Sequence, residues 1–339
     1  MTMTPVASLS RRSVLGAGAA LGLAACGDGG KPLDRPLFSA DAHPQGYPTV
    51  KAVEEMARLV KERTNGELSI RIYAGGQLGG ESDTLEITMF GGIDLNRVNL
   101  APLNPIAPPT LVLSLPFLFE SIPHARRTFD GAPGERILAS LEPRGLIGLC
   151  FYDSGARSFY NTKRPIRTPD DLAGLKVRVQ SSDLYVAMVA AAGGNPTPIP
   201  LGEVYQALVQ GVVDAAENNW PSYETTRHYE SARYYSLTRH VMAPEVLVMS
   251  RRRWEKLPQA HRDVIRQAAK DSVPYMRGLW DAREAGAQER LLKAGVQLND
   301  DIDVRAFQAR MLPVWERFMT TPELRGLVEE VQALGGGNA

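Results

Sequence analysis

Two arginines stand where a cation cannot rest without a partner. Arg178 lies inside the apolar run Leu175-Lys176-Val177-Arg178-Val179, and Arg157 follows Ser154-Gly155-Ala156 just ahead of Phe159-Tyr160. A guanidinium at the end of a buried strand needs an anion, and its planar donor fork suits a carboxylate. That carboxylate can be a structural Asp or Glu or an arriving organic acid, and residue types alone weigh the two equally. Other chemistries find no support. The sequence has no His-Glu-x-x-His, no Gly-x-Ser-x-Gly and no phosphate-binding Gly-Lys-Ser/Thr. His43, His124, His228, His240 and His261 are dispersed, and Asn299-Asp300-Asp301-Ile302-Asp303 lacks the Gly and closing Glu of a calcium loop. We therefore expect neither catalysis nor a cofactor nor a metal.

Charge narrows the partners. Lys and Arg number 38 against 38 Asp and Glu, with the basic residues scattered. That balance leaves no electrostatic footprint for nucleic acid. Arg251-Arg252-Arg253 precedes Trp254 and reads as a solvated helix start. At the N-terminus, Ser10-Arg11-Arg12-Ser13 opens a weakly apolar run to Ala25. The run is too short to span a bilayer, which takes about 20 helical residues. It reads as an export signal with a twin-arginine address. Leu23-Ala24-Ala25-Cys26 resembles a bacterial lipobox, which makes Cys26 the expected lipidation site and 1–25 the signal. Residues 26–36, rich in Gly, Pro and charge, form a tether. Cys150 then remains as a lone buried hydrophobe with no disulfide partner.

The rest of the chain must position the arginines. Val50, Val53, Met56, Ala57 and Val60 recur at helical spacing before Asn65-Gly66, and Leu68 to Tyr73 alternates as a half-buried strand. A Gly-rich turn at 75–80 leads to a helix over 81–90, and 93–99 reads as a strand. A second series starts near Gly155. Thr168-Pro169 opens a short helix before the strand that carries Arg178, and Ser181 or Ser182 caps a helix to about Ala192. Leu247-Val248-Met249 returns as a strand of the first sheet. Residues 258–292 are predicted to form one long helix kinked at Pro274. Alternating strands and helices of this kind give an α/β fold. The expected architecture is a two-lobed, periplasmic-binding-protein-like clamshell with the long helix spanning both lobes. Lobe I comprises 37–154 plus 243–282, and lobe II comprises 155–242 plus 283–330.

Several stretches carry a family resemblance. Arg157-Ser158-Phe159-Tyr160-Asn161, Asp171-Leu172-Ala173-Gly174-Leu175-Lys176-Val177-Arg178-Val179, Gly194-Asn195-Pro196-Thr197-Pro198 and Val213-Asp214-Ala215-Ala216-Glu217-Asn218 resemble, in this order, the solute-binding proteins of TRAP transporters. The resemblance implies an extracytoplasmic monomer without cofactors that captures an organic acid for membrane subunits. It implies that Arg178 clamps the ligand carboxylate, that Arg157 assists and that Asn218 orients the pair. Ala40-Asp41-Ala42-His43-Pro44-Gln45-Gly46-Tyr47, Leu78-Gly79-Gly80-Glu81 and Glu217-Asn218-Asn219 are similar to members that bind hexuronates. That similarity implies hydroxyl-reading roles for Glu81, His43 and Asn219 from around the cleft. Arg239 stands where those relatives usually carry an acidic residue, so it would retune the preference if it faces the cleft. A C4-dicarboxylate binder, a ligand sensor or an exported enzyme are the competing readings.

Overall fold

The computed structural model describes residues 35–336, so the expected signal, Cys26 and most of the tether lie outside the described residues. Among the described residues, eleven strands form two sheets. In chain order they are β1 (Leu37–Asp41), β2 (Ile70–Tyr73), β3 (Leu95–Asn99), β4 (Leu146–Tyr152), β5 (Arg157–Asn161), β6 (Lys176–Val179), β7 (Asn195–Pro198), β8 (Ala215–Asn218), β9 (Tyr234–Val241), β10 (Glu245–Ser250) and β11 (Gln297–Asn299). The first sheet runs β2-β1-β3-β10-β4 and the second β11-β9-β5-β8-β6-β7. β10 lies antiparallel between β3 and β4, so the chain returns to the first sheet after building most of the second.

Why these segments are strands is clearest at β6. Val177 and Val179 are fully buried on the core side, and the two-residue period turns Arg178 between them toward the opposite face. The cap before that strand is as expected. Thr168 and Asp171 exchange side-chain and backbone hydrogen bonds across the start of the turn Pro169–Leu172.

Two short segments, 153–156 and 242–244, join the sheets. At the first, Gly155 adopts φ +60, and a Cβ there would meet the Glu284 carboxylate at 2.9 Å and the Trp280 ring at 3.2 Å. Only glycine combines that backbone turn with that close approach. The third connection is the helix Gln259–Lys293, which runs unbroken through Pro274. Its Ile265, Ala269, Met276 and Trp280 enter the core under the first sheet. Its Ala287 and Leu291 join the core beside β9 and the helix Trp220–Thr225.

One segment departs from the expected division. The helix Pro322–Ala333, placed by sequence with the second lobe as far as residue 330, packs on the helices Thr110–Leu113 and Ala132–Ala139, which belong to the first. Its buried stripe Leu324, Leu327, Val328 and Val331 joins the core of Leu113 and Phe129, and the Val331 carbonyl meets His124 Nε2 at 2.7 Å. An apolar stripe shows that a helix must be covered, without saying by which neighbour. Cys150 is buried as expected, with desolvation pushing its thiol up to about 12.

Candidate functional site

The two arginines singled out by sequence lie on one sheet and have opposite fates. Arg157 opens β5 beside β8, which brings Glu217 and Asn218 alongside it. Its Nε and Nη2 donate to the Glu217 carboxylate, the latter at 2.9 Å, and Nη2 also donates to the Glu217 carbonyl at 2.8 Å. Nη1 donates to Asn218 Oδ1 at 3.0 Å. Gln180, with its carbonyl turned to Arg157, accepts from Nη1 and Nη2 at 3.1 and 3.0 Å, while its amide donates to Asn99 Oδ1 at 2.7 Å. Arg157 is thus saturated by protein groups. Burial would raise the Glu217 carboxyl, but the charge of Arg157 and its hydrogen bonds, with His240 nearby at 3.6 Å, outweigh it and bring it down to about 2.

Arg178 makes one protein hydrogen bond, from Nε to the Ile199 carbonyl at 2.7 Å. Among the described residues no carboxylate lies within ion-pair distance of it, although it is buried to within 3%. Burial, ahead of the attraction of Glu217, holds its pKa below the usual arginine range. The guanidinium borders a cavity of about 470 Å³ and a smaller compartment of about 20 Å³. The larger falls in the size range of small-molecule sites, roughly 300–1,000 Å³. The Gly-rich turn at 75–80, Glu81 and Asp83 line one side of it, and Arg178, Gln180 and Leu201 the other.

The opposite wall, from the first sheet, holds a group that sequence reasoning missed. Arg97, in the middle of β3, is fully buried and bonds Asp41, Glu81 and Glu245, the last two at 2.7 and 2.6 Å. Those carboxylates come from the end of β1, the first turn of the helix Glu81–Phe90 and the start of β10. The register of β3 between β1 and β10 sets Arg97 opposite Asp41 and two residues from the partner of Glu245. Glu81 Oε1 also accepts from the Asn99 backbone at 3.0 Å. The signal for Arg97 was weaker than that for Arg178, since Asn96 and Asn99 interrupt the apolar residues of Leu95–Asn99 and its full burial emerges only in the fold.

The structure brings Arg178, Arg157, Asn218, Glu81 and His43 to one place, since all five line the smaller compartment. His43 stacks on Tyr47 at 3.8 Å, and its Nδ1 has no protein partner. Asn219 lies apart and is not among the lining residues of either cavity. Its carbonyl caps the helix Trp220–Thr225 by accepting from Ser222 N at 2.8 Å, and its amide donates to the Ser154 carbonyl at 2.9 Å. Arg239 is exposed at φ +44 and lines neither cavity, so the condition for its retuning role is not met. Among the described residues, no helix is long and apolar enough to cross a membrane.

Comparison with known proteins supplies the context for this geometry. Residues 39–321 match the family described as bacterial extracellular solute-binding protein, family 7. A solute-binding protein of Chromohalobacter salexigens is 46% identical over 291 residues, covering 86% of this chain and 87% of the relative. A TRAP periplasmic solute-binding protein of Bradyrhizobium, solved in complex with D-galacturonate, superposes with a TM-score of 0.87 at 48% identity over 88% of this chain and 100% of its own. One from Chromohalobacter salexigens with bound D-glucuronate gives 0.85 at 45% identity, over 88% and 99%. The chain, with its two sheets, bridging helix and polar cleft, belongs to family 7 of the bacterial extracellular solute-binding proteins, whose members work outside the cytoplasm and deliver solutes to the membrane subunits of TRAP transporters.

Proposed function

We propose that this protein captures a hexuronate, D-glucuronate or D-galacturonate, and hands it unchanged to its transporter. The observation that carries the reading is Arg178, a buried cation without a carboxylate beside a cavity of about 470 Å³. A ligand carboxylate completes it by a two-pronged contact, while Arg157 stays locked on Glu217 and holds Asn218 in place. Glu81 and His43 then meet the sugar hydroxyls from the other wall, and Asn219 supports the site by fixing the turn behind Asn218. The bound sugar acids of the similar solved proteins support the choice of ligand class. Closure brings lobe I, 37–154 plus 243–282, onto lobe II, 155–242 plus 283–321, about the segments 153–156 and 242–244. We further propose that the protein acts as a monomer in the periplasm, tethered through lipidated Cys26.

A thermal-shift panel tests the ligand. Each buried polar group left without a partner costs about 1–3 kcal/mol, and ligand binding raises stability with the logarithm of its excess over Kd. The expected order of stabilisation is hexuronate, then succinate or malate, then neutral hexose. Succinate or malate ranking above both uronates would reduce the reading to an organic acid of another type. Recovery of a converted product after incubation with uronate would replace binding by catalysis.

A further inference from the structure

The two walls of the site carry opposite surplus charge. On the second-sheet wall, Arg157 and Glu217 neutralise each other and Arg178 is left over. On the first-sheet wall, Arg97 is one guanidinium shared by three carboxylates, Asp41, Glu81 and Glu245, so negative charge is in excess. Glu81 and Glu245 from that cluster and Arg178 from the other wall border the same small compartment. Glu81 is committed to Arg97 and Asn99 through Oε1, and no protein group donates to its Oε2. Glu81 lines both cavities, so a donor on a bound ligand can reach that acceptor.

We infer that the cluster centred on Arg97 is a charge filter, which admits sugar acids bearing a single carboxylate and rejects sugar diacids of the same carbon number. The inference rests on the uronate reading and deepens it. Arg97 is the positioning residue. It pairs with all three carboxylates at once and holds Glu81 by Oε1 at the edge of the compartment. A monoacid places its carboxylate on Arg178 and its hydroxyls on Glu81. A hexarate, in which the far carbon is also a carboxylate, sets like charge against like charge in a water-poor compartment. Such juxtaposition costs several kcal/mol. Gluconate and glucarate are both acyclic six-carbon acids that differ only at the far carbon, CH2OH in one and carboxylate in the other. That pair isolates the added charge best, whereas glucuronate is a ring and differs from glucarate in shape as well.

The test is a calorimetric comparison of gluconate with glucarate, the open-chain pair, and of the cyclic glucuronate with glucarate, on the wild-type chain and on Glu81→Gln and Glu81→Asp. In wild type the monoacids are expected to bind at least ~30-fold more tightly than the diacid. Glu81→Gln, nearly isosteric and uncharged, is expected to shrink that ratio by about tenfold or more. Glu81→Asp keeps the charge and is expected to keep the exclusion. Unliganded melting of each variant reports that the site is still folded. Equal binding of glucuronate and glucarate by wild type, or an unchanged ratio in Glu81→Gln, overturns the filter and leaves the uronate reading standing. Gluconate bound and glucarate excluded, with glucuronate unbound, overturns the uronate reading and leaves the filter. Wild type binding none of the three overturns both.

Discussion

Arg97 on β3 and Arg178 on β6 are both arginines buried within short strands; Arg178 lines the cleft, and Arg97 lies behind its other wall, bonded to the lining residues Glu81 and Glu245. Arg97 is ringed by three carboxylates, and these overcome the effect of burial to hold its pKa well above the usual arginine range. Arg178 has a single backbone carbonyl, and burial draws its pKa below that range. The first cation belongs to the architecture, and the second is the one that we propose a ligand carboxylate completes. Burial of a charge therefore does not identify a binding residue by itself. What identifies it is a partner count that the folded chain leaves short beside a cavity.

Mutating the two arginines breaks or confirms that contrast with the largest effects. Arg97→Met strands buried carboxylates, and breaking a buried pair in this way costs about 3–5 kcal/mol of stability. Chemical denaturation of the unliganded protein should show that loss. Arg178→Ala should leave unliganded stability unchanged or raised, because no protein carboxylate loses its partner. Its effect falls on binding, by about 2–5 kcal/mol or at least ~30-fold in calorimetry. Arg178→Lys should also fail, since an ammonium cannot reproduce the fork. A stable Arg97→Met, or near-native affinity in either Arg178 variant, would reverse the assignment.

Acid sharpens the comparison from the second-sheet side. His228 donates to or accepts from Tyr160 through Nδ1 at 2.7 Å, and burial, followed by the nearby Arg178 charge, brings its pKa down to about 3. Its neutral form is favoured only in the folded state. The stability it contributes is complete above the ordinary value of 6.5 and is lost as pH falls toward 3. The loss amounts to roughly 3–5 kcal/mol at most. Glu217, held down at about 2, adds its own loss only below its ordinary 4.5. Between pH 6.5 and 4.5, denaturation of His228→Gln should therefore vary less with pH than that of wild type. Parallel curves in that window would remove His228 from the account.

The smallest expected effect concerns Asn219, which lines neither of the two cavities beside Arg178. Asn219→Ala should cost about 1 kcal/mol of stability through the lost helix cap and leave uronate affinity within about threefold. A larger fall in affinity at unchanged stability would return Asn219 to the ligand.

Much of this molecule was legible in the sequence, for stated physical reasons. Period-two alternation marked Leu68–Tyr73 as a strand-bearing run, and 3.6-residue spacing marked 48–64 and 258–292 as helices, because local patterns record which face is buried. Arg178 and Arg157 stood out because an apolar strand cannot hold a cation alone. Asn219, expected at the ligand, was harder to read, and the structure shows it capping the helix Trp220–Thr225. Asparagine both caps helices and reads ligands, and only the position of Ser222 N and Ser154 decides between those uses. Pro322–Ala333 showed its apolar stripe but not the neighbour that covers it.

Residue types and spacing by themselves determined that the chain is α/β, that two arginines require anions and that the metalloprotease, nucleophile-elbow and phosphate-loop motifs do not occur in it. Tertiary structure alone decided which arginine remains short of an anion. Glu217 reaches Arg157 because β5 and β8 are neighbours, although the residues are 60 apart in sequence. Glu245 reaches Arg97 across 148 residues because β10 returns to the first sheet. Such pairings are set by strand order and register, long-range choices that no local pattern encodes.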